Sequence, residues 1–180
     1  MSSASAKILT VGHGTLPQNE FAALVTTVQA KEVVDIRSFP GSRRNPHFGS
    51  DELARWLPPS GVAYSWLRSL GGRRRPISGS QHVALRNPSF RAYADYMETE
   101  PFLGGVNDLL NRGGGCVVMC SESVWWRCHR RLLADHLTLV REVEVLHLMH
   151  DGRLTPHPPT DGVRLAGDRL VYDRAPELSD

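Results

Sequence analysis

The sequence predicts a three-layer α/β fold, in which a mostly parallel sheet is flanked by helices. Short apolar runs alternate with segments whose apolar residues recur at spacings of three and four, the patterns of buried strands and amphipathic helices. A strand, a helix and a second strand follow each other within residues 7–37, and such a βαβ unit places its strands parallel. With 180 residues, 41% of them hydrophobic, the chain is expected to form one globular domain.

The first half of the chain supplies three strands and two helices. "KILTVG" is predicted to be a strand, "LPQNEFAALVTTVQA" a helix with Asn19 as its N-cap, and "EVVDIR" the second strand. "SFPGSRRNPHFGS" has the composition of a loop, and it precedes a short helix, "DELARWL", and a strand, "VAYSWL". A long polar loop then spans residues 68–88, and loops of this length are usually functional or mobile.

The second half continues the alternation. "SFRAYADYMETEPFLGGVNDLLNRGG" is expected to form two helices, capped by Ser89 and interrupted near Pro101. "CVVMC" and "EVEVLHLM" are predicted strands, with the helix "RCHRRLLADHLTL" between them. We therefore divide the chain into a disordered N-terminus (1–6), an α/β domain (7–149) and a C-terminal extension (150–180) with one edge strand at "RLVYD".

The composition excludes several classes of protein. The sequence has no run of 18 apolar residues and no signal-peptide pattern, so we expect a cytoplasmic protein with no membrane partner. Its three cysteines are too few for a disulfide framework, and reduced thiols are expected in that compartment. Cys116 and Cys120 fall in one strand, roughly 13 Å apart at about 3.3 Å per residue, and cannot bridge each other.

Arginine is concentrated in the first half of the chain. The net charge is only +2, but 19 of the 21 basic residues are arginines, and residues 37–75 contain eight of them against two acidic residues. The guanidinium group suits phosphate and carboxylate, although scattered arginines can also simply coat a solvated face. The candidate phosphate-binding residues of this region are Arg37, Arg43, Arg44, Gly71, Gly72, Arg73 and Arg74.

Reactive side chains follow several predicted strands at their carboxyl ends. In an open parallel sheet of the Rossmann-like or flavodoxin-like kind, ligands bind in the crevice at these ends. If the strands are neighbours, one crevice receives His13, Asp35, Arg37, Cys120 and Glu122. His13 lies between two glycines that allow close approach of a ligand, while Glu122 is a possible general base or a partner of Arg130.

The stretch "MCSESVWWRCHR" allows several interpretations. The stretch is predicted to contain a strand end, a loop and the start of a helix, where free backbone N–H groups favour a bound anion. The same position could lower the pKa of a thiol and so activate Cys120 or Cys128 beside His129. A phosphatase-type loop needs an arginine six positions after the cysteine, where this chain has Trp126. Zinc or iron could be held by a set of four side chains, namely His13, Cys120, Cys128 and His129, but their spacing is not that of a known metal site. No cofactor is expected. Trp125 and Trp126 could stack on bases or belong to the core.

Five segments of the chain resemble the DUF488 family of small bacterial and archaeal proteins. In order they are "ILTVGHGT", "VVDIRSFPGSRRNPHF", "GVAYSWLRSLGGRR", "FRAYADYM" and "VVMCSESVWWRCHRRLLADHL". The most specific part is the pattern formed by Cys120, Glu122, Cys128, His129 and Arg130. The resemblance implies a fold and a site, including His13, Asp35, Arg37, Arg43, Gly71, Gly72 and Arg73, but no reaction, since the family is one of unknown function.

The function expected from these residues is action on a nucleic acid or nucleotide. The arginines would hold phosphates, the tryptophans would stack on a base, and His13, Asp35 and Glu122 would serve in hydrolytic processing or repair of a base. One alternative is a cysteine-dependent enzyme on a small anionic substrate. The other is a module without catalytic activity that binds a metal or senses redox state.

Overall fold

The computed structural model describes residues 6–175 and contains a six-stranded sheet. The strands are β1 (Lys7–Gly12), β2 (Glu32–Asp35), β3 (Ala63–Trp66), β4 (Cys116–Cys120), β5 (Glu144–Leu148) and β6 (Leu154–Pro156). They lie in the order β3-β2-β4-β1-β5-β6, with β6 alone antiparallel to its neighbour. Apart from Ala6, the residues of the predicted disordered N-terminus lie outside the described part.

Helices cover both faces of the sheet, which confirms the predicted three-layer α/β fold. The helices of the described residues are α1 (Gln18–Thr27), α2 (Ser50–Trp56), α3 (Pro88–Tyr96), α4 (Glu100–Asn111) and α5 (Arg130–Leu139). Alternation along β4 sends Val117 and Met119 into the core beneath α1 and α2, and Val118 and Cys120 into the core beneath α3, α4 and α5. None of the helices in residues 6–175 has the length and apolarity needed to cross a bilayer.

The helix starts differ from the predicted caps. Helix α1 begins at Gln18 after Pro17, so Asn19 lies inside the first turn and is not the N-cap. In α3 the cap is Asn87, whose side-chain oxygen accepts from the backbone N–H of Ser89. Pro101 lies in the first turn of α4, where a proline has no backbone hydrogen bond to remove.

The C-terminal extension joins the fold in a different way from the one predicted. One edge of the main sheet is formed by β6, which pairs with β5, and the other edge is formed by β3. "RLVYD" contributes β8 (Arg169–Tyr172), which pairs with β7 (Val163–Ala166) in a separate hairpin. Leu170 and Tyr172 of this hairpin pack into the core on the α5 side. The expected edge strand at this position was wrong, because the apolar side chains of β8 pack against α5 and not beside β5.

A buried polar network ties the hairpin to α5 and the sheet. The Asp135 carboxylate accepts from His157 Nε2 at 2.7 Å, from the Tyr172 hydroxyl at 2.8 Å and from the backbone N–H of Thr160. His157 Nδ1 lies 2.9 Å from Nε2 of His147. Each member is therefore satisfied by another member, which is the condition for a buried polar group to be tolerated.

Four histidines, three of them buried and one partly buried, are expected to make the fold sensitive to acid. Burial lowers the pKa of His13, His129 and His136 to about 4, and that of His147 to about 3, from an ordinary value of 6.5. Between pH 6.5 and 4 the unfolded chain therefore binds protons that the folded chain does not. Stability is complete above pH 6.5 and falls with decreasing pH, by up to about 1.4 kcal/mol per pH unit for each histidine.

Urea denaturation at pH 7.5 and pH 5 measures this effect. We expect the free energy of unfolding to be several kcal/mol lower at pH 5. The variant His136→Leu, which removes a buried nitrogen that has no hydrogen-bond partner in residues 6–175, should show a shallower dependence on pH. Equal stability at the two pH values would contradict the expectation.

Candidate functional site

A cavity of about 1220 Å³ opens at the carboxyl ends of the parallel strands. The loops after β1, β2 and β4 and the loop that begins after β3 all contribute to its wall. The cavity is lined by ten of the predicted site residues: His13, Arg37, Arg43, Arg44, Gly72, Arg73, Cys120, Glu122, Cys128 and His129. The structure thus brings together the strand ends that the sequence placed in one crevice.

Main-chain hydrogen bonds join the loop after β1 to the loop after β4 beneath the cavity. The backbone N–H of His13 donates to the carbonyl of Cys120 at 3.0 Å, and that of Gly14 donates to Ser121 at 2.9 Å. The loops approach so closely that a Cβ atom on Gly12 would overlap the carbonyl group of Glu122. Glycine is therefore required at position 12 by contact and not by its backbone angles.

Asp35 and Arg37 form a buried ion pair behind the cavity wall. Arg37 donates from Nε and Nη2 to the two carboxylate oxygens of Asp35, at 2.8 and 2.6 Å. The Tyr64 hydroxyl adds a third bond to Asp35, at 2.7 Å, while Nη2 of Arg37 also donates to the carbonyl of Phe48. Asp35 is fully buried and does not line the cavity. Its carboxylate therefore positions the Arg37 guanidinium, which does reach the cavity.

His13 is held as a neutral imidazole. Its Nδ1–H donates to the carbonyl of Gly14 at 2.8 Å, and its Nε2 accepts from Nη1 of Arg37 at 3.3 Å. The ring stacks on Phe48, and burial lowers the pKa of His13 to about 4, with the positive charge of Arg37 acting in the same direction. Because both ring nitrogens already have partners, His13 contributes shape and a fixed orientation of Arg37 to the site.

Gly71 and Gly72 bring the segment 71–75, here called the arginine loop, against the rest of the site. A Cβ on Gly72 would overlap the ring of His129, and a Cβ on Gly71 would press on Ser38. Arg73 follows, and its guanidinium lies over the exposed ring of Phe39 at the cavity rim. Arg74 turns away, since it donates to the carbonyl of Gly71 and lies 3.6 Å from the ring centre of Tyr96. Arg73 therefore reaches the cavity, whereas Arg74 holds the loop.

Four guanidinium groups on the cavity wall have no carboxylate partner. They belong to Arg43, Arg44, Arg73 and Arg127, and none forms an ion pair with a side chain in the described part of the chain. Among residues 6–175, Glu122 is the single acidic residue of the lining. Unpaired arginines around one opening create a positive potential that attracts anions.

The loop between β4 and α5 is anchored by residues that do not line the cavity. Arg130 is 1% exposed and donates from Nη2 to the carbonyls of Glu122 and Ser123, at 2.7 and 3.3 Å. Burial lowers the pKa of Arg130 to about 9, and the charge of Glu122 opposes this effect. Trp125 stacks on His147 at 4.5 Å between ring centres, whereas Trp126 is half-exposed outside the cavity. Arg130 and Trp125 therefore act on the shape of the loop.

The sulfur atoms of Cys120 and Cys128 lie in contact. Their Cα atoms are 7.6 Å apart, farther than an ordinary disulfide spans. The reduced thiols expected from the sequence therefore stay a prediction; Cys116 is free and buried. His129 lies beside them, with Nδ1 3.5 Å from Sγ of Cys128 and Nε2 3.1 Å from the carbonyl of Ile36. In residues 6–175 no three His, Cys, Asp or Glu side chains are grouped as a metal site.

Sequence analysis missed part of the lining. Phe39, Arg127 and His150 reach the cavity, and Asn87 and Phe90 contribute from the start of α3. The position of His150, shortly after the parallel strand β5, is a signal that the strand-end rule could have used. Phe39 is 64% exposed directly after the β2 ion pair, but an isolated exposed aromatic has no distinctive sequence pattern.

One protein-family model matches the chain, that of the "Domain of unknown function DUF488", over residues 18–137. The chain belongs to the DUF488 family. The matched part of the DUF488 chain includes Asp35, Arg37, the arginine loop and the segment from Cys120 to Arg130. The strand β1 and His13 lie before it. No curated protein and no solved structure matches the chain.

Proposed function

We propose that this DUF488 protein binds the phosphate groups of a nucleic acid or nucleotide in the cavity and acts on the bound molecule. The observation that carries the proposal is the set of four guanidinium groups around one opening that have no acidic partner within the described part of the chain. A planar guanidinium donates two parallel hydrogen bonds to phosphate, so several of them in one wall suit a chain of phosphates or a di- or triphosphate.

Flat apolar side chains at the rim suit the base of such a ligand. Phe39 and Phe90 line the same cavity, and both lie close to arginines: Arg73 over Phe39 at 5.8 Å and Arg131 over Phe90 at 6.0 Å. Bases stack on aromatic rings and on guanidinium planes with little dependence on sequence. These two phenylalanines, and not the tryptophans, are therefore the stacking surfaces of the proposal.

Glu122 is the residue proposed for hydrolysis. Its carboxylate is exposed on the cavity wall, and no side chain of the described residues donates a hydrogen bond to it. A free carboxylate can take a proton from a water molecule that attacks the ligand. Asp35 is not available for this step, because Arg37 and Tyr64 already bind its oxygens.

Fluorescence anisotropy with labelled single-stranded DNA, duplex DNA and RNA across a salt series tests the proposal. We expect affinity to fall steeply with salt, and Arg73→Ala to weaken binding roughly tenfold, equivalent to about 1.4 kcal/mol. On a single strand, the loss of one phosphate contact should reduce the slope of log K against log salt by about 0.7.

Two further variants separate the effect of charge on the cavity wall from the effect of the protein's net charge. Arg75→Ala removes the same charge two residues along the same loop, but Arg75 does not line the cavity, so binding should be unchanged. Glu122→Gln removes the negative charge of the wall and should tighten binding while lowering turnover. Absence of binding at low salt, or equal losses for Arg73→Ala and Arg75→Ala, would reject the proposal.

A further inference from the structure

Two cysteines and a histidine lie next to one another on the cavity wall, namely Cys120, Cys128 and His129. Cys120 is the last residue of β4 and Cys128 lies two residues before α5, and both line the cavity. Their sulfur atoms touch and their Cα atoms are 7.6 Å apart, so a small approach of the two backbones would let them form a disulfide. Cys120 is 1% and Cys128 5% exposed, and both also pack in the core, so small thiols and disulfides meet them only where they line the cavity.

His129 is oriented as a proton acceptor for Cys128. Its Nε2–H donates to the backbone carbonyl of Ile36 at 3.1 Å, which leaves the lone pair on Nδ1, 3.5 Å from Sγ of Cys128. Burial lowers the pKa of His129 to about 4, so the ring is neutral at pH 7 and Nδ1 is free to accept. Cys128 is therefore placed as a nucleophile, His129 as its base, and the carbonyl of Ile36 as the group that orients the base.

The surroundings of the two sulfur atoms differ. Sγ of Cys120 lies 3.9 Å from the carbonyl of Glu122. Within residues 6–175, no basic side chain forms a hydrogen bond with this sulfur atom. Cys128 has His129 beside it and Arg127 before it, and Arg73 lies on the same wall. Positive charge and a proton acceptor favour the thiolate, which is the form that attacks a disulfide. This asymmetry makes Cys128 the attacking residue and Cys120 the resolving one.

We propose that Cys128 and Cys120 form a reversible dithiol–disulfide couple that reduces small, negatively charged disulfides. Cys128 gives its proton to His129 and attacks one sulfur of the substrate, which forms a mixed disulfide and releases one thiolate. That thiolate takes the proton from His129. Cys120 then attacks Sγ of Cys128 and displaces the second thiolate, which leaves with the Cys120 proton. Two electrons pass from the protein dithiol to the substrate disulfide, and an external dithiol restores the reduced protein.

The arginines of the wall select the charge of the substrate. Guanidinium groups bind carboxylates as readily as phosphates, so a disulfide that carries carboxylates should be drawn into the cavity. The proposal does not rest on binding of nucleic acid. It uses the same opening and a different set of reacting atoms.

The test starts from fully reduced protein that is mixed with glutathione disulfide and followed by intact mass and thiol titration. We expect the wild type to lose two thiols and release two molecules of glutathione. Cys120→Ser should accumulate one glutathione on position 128, and Cys128→Ser should react at least tenfold more slowly. Cys116→Ser, which changes the buried free cysteine, should behave as the wild type. Cystamine, a disulfide that carries positive charges, should react several-fold more slowly than glutathione disulfide.

The role of His129 has a separate readout. His129→Gln should slow the reaction at pH 7, and the rate should recover as the pH rises, because the thiolate then forms without a base. Three free thiols after incubation of the wild type, or equal rates for the Cys120→Ser and Cys128→Ser variants, would overturn the proposal. Nucleic-acid binding by Cys128→Ser, measured in parallel, distinguishes loss of thiol chemistry from loss of the anion site.

Discussion

Replacement of Gly12 by alanine is expected to destabilise the protein by more than about 4 kcal/mol, a loss found only for severe structural conflicts. The added Cβ would overlap the carbonyl group of Glu122 and would lie 2.8 Å from Nη2 of Arg130. Both obstacles are fixed, because Arg130 donates to that same carbonyl and is itself buried. Relief would require the loops after β1 and β4 to separate, with loss of the hydrogen bond from His13 to Cys120.

Gly104→Ala is a matched control for this variant. Gly104 lies in α4, and a Cβ at that position has no neighbour within 4 Å. Alanine should stabilise the helix by about 0.5–1 kcal/mol, since glycine is a poor helix former. Urea denaturation of both variants therefore should give shifts of opposite sign. A Gly12→Ala protein that unfolds at the wild-type urea concentration would show that the two loops can move apart freely.

The second large effect is expected for Asp35→Ala. The change leaves the Arg37 guanidinium, which is 7% exposed, without its carboxylate, and leaves the Tyr64 hydroxyl without its acceptor. Removal of one partner of a buried ion pair typically costs about 3–5 kcal/mol, because the remaining charge stays desolvated. Arg37 should also lose its fixed position beside His13, so ligand affinity should fall in the fraction that remains folded.

Glu52→Ala provides the comparison with an exposed ion pair. Glu52 pairs with Arg55 on the surface of α2, where both side chains are well exposed and water screens the charges. We expect little change in the urea midpoint for this variant and a large change for Asp35→Ala. Similar midpoints for the two variants would mean that the buried pair is reached by solvent.

Much of the architecture was predictable from periodicity. The apolar spacing of α1 and the runs of β1, β2 and β4 gave the parallel sheet, and the rule for strand ends gave the cavity. The position of β8 was not predictable, because an edge strand and a separate hairpin have the same alternation of side chains. What decides between them is the contact with α5, which is distant in sequence.

The roles of individual site residues were less predictable than their location. Asp35 and Arg37 are two positions apart, and the sequence does not show that the arginine folds back onto the carboxylate. The contact between the sulfur atoms of Cys120 and Cys128 depends on the path of the loop between them, which is set by Arg130 and by the stacking of Trp125. Local sequence identified residues capable of chemistry, whereas hydrogen bonds between distant segments decided which of them are free to perform it.

The strand order places β1 between β4 and β5 at the middle of the sheet. The family model matches residues 18–137, a stretch that includes neither β1 nor β5. The matched stretch is thus shorter than the unit that must fold together. A central strand is held by main-chain groups that every residue except proline supplies. The hydrogen bonds that hold β1 in the middle of the sheet therefore depend on its main chain, whereas its side chains are constrained by the two cores that they fill.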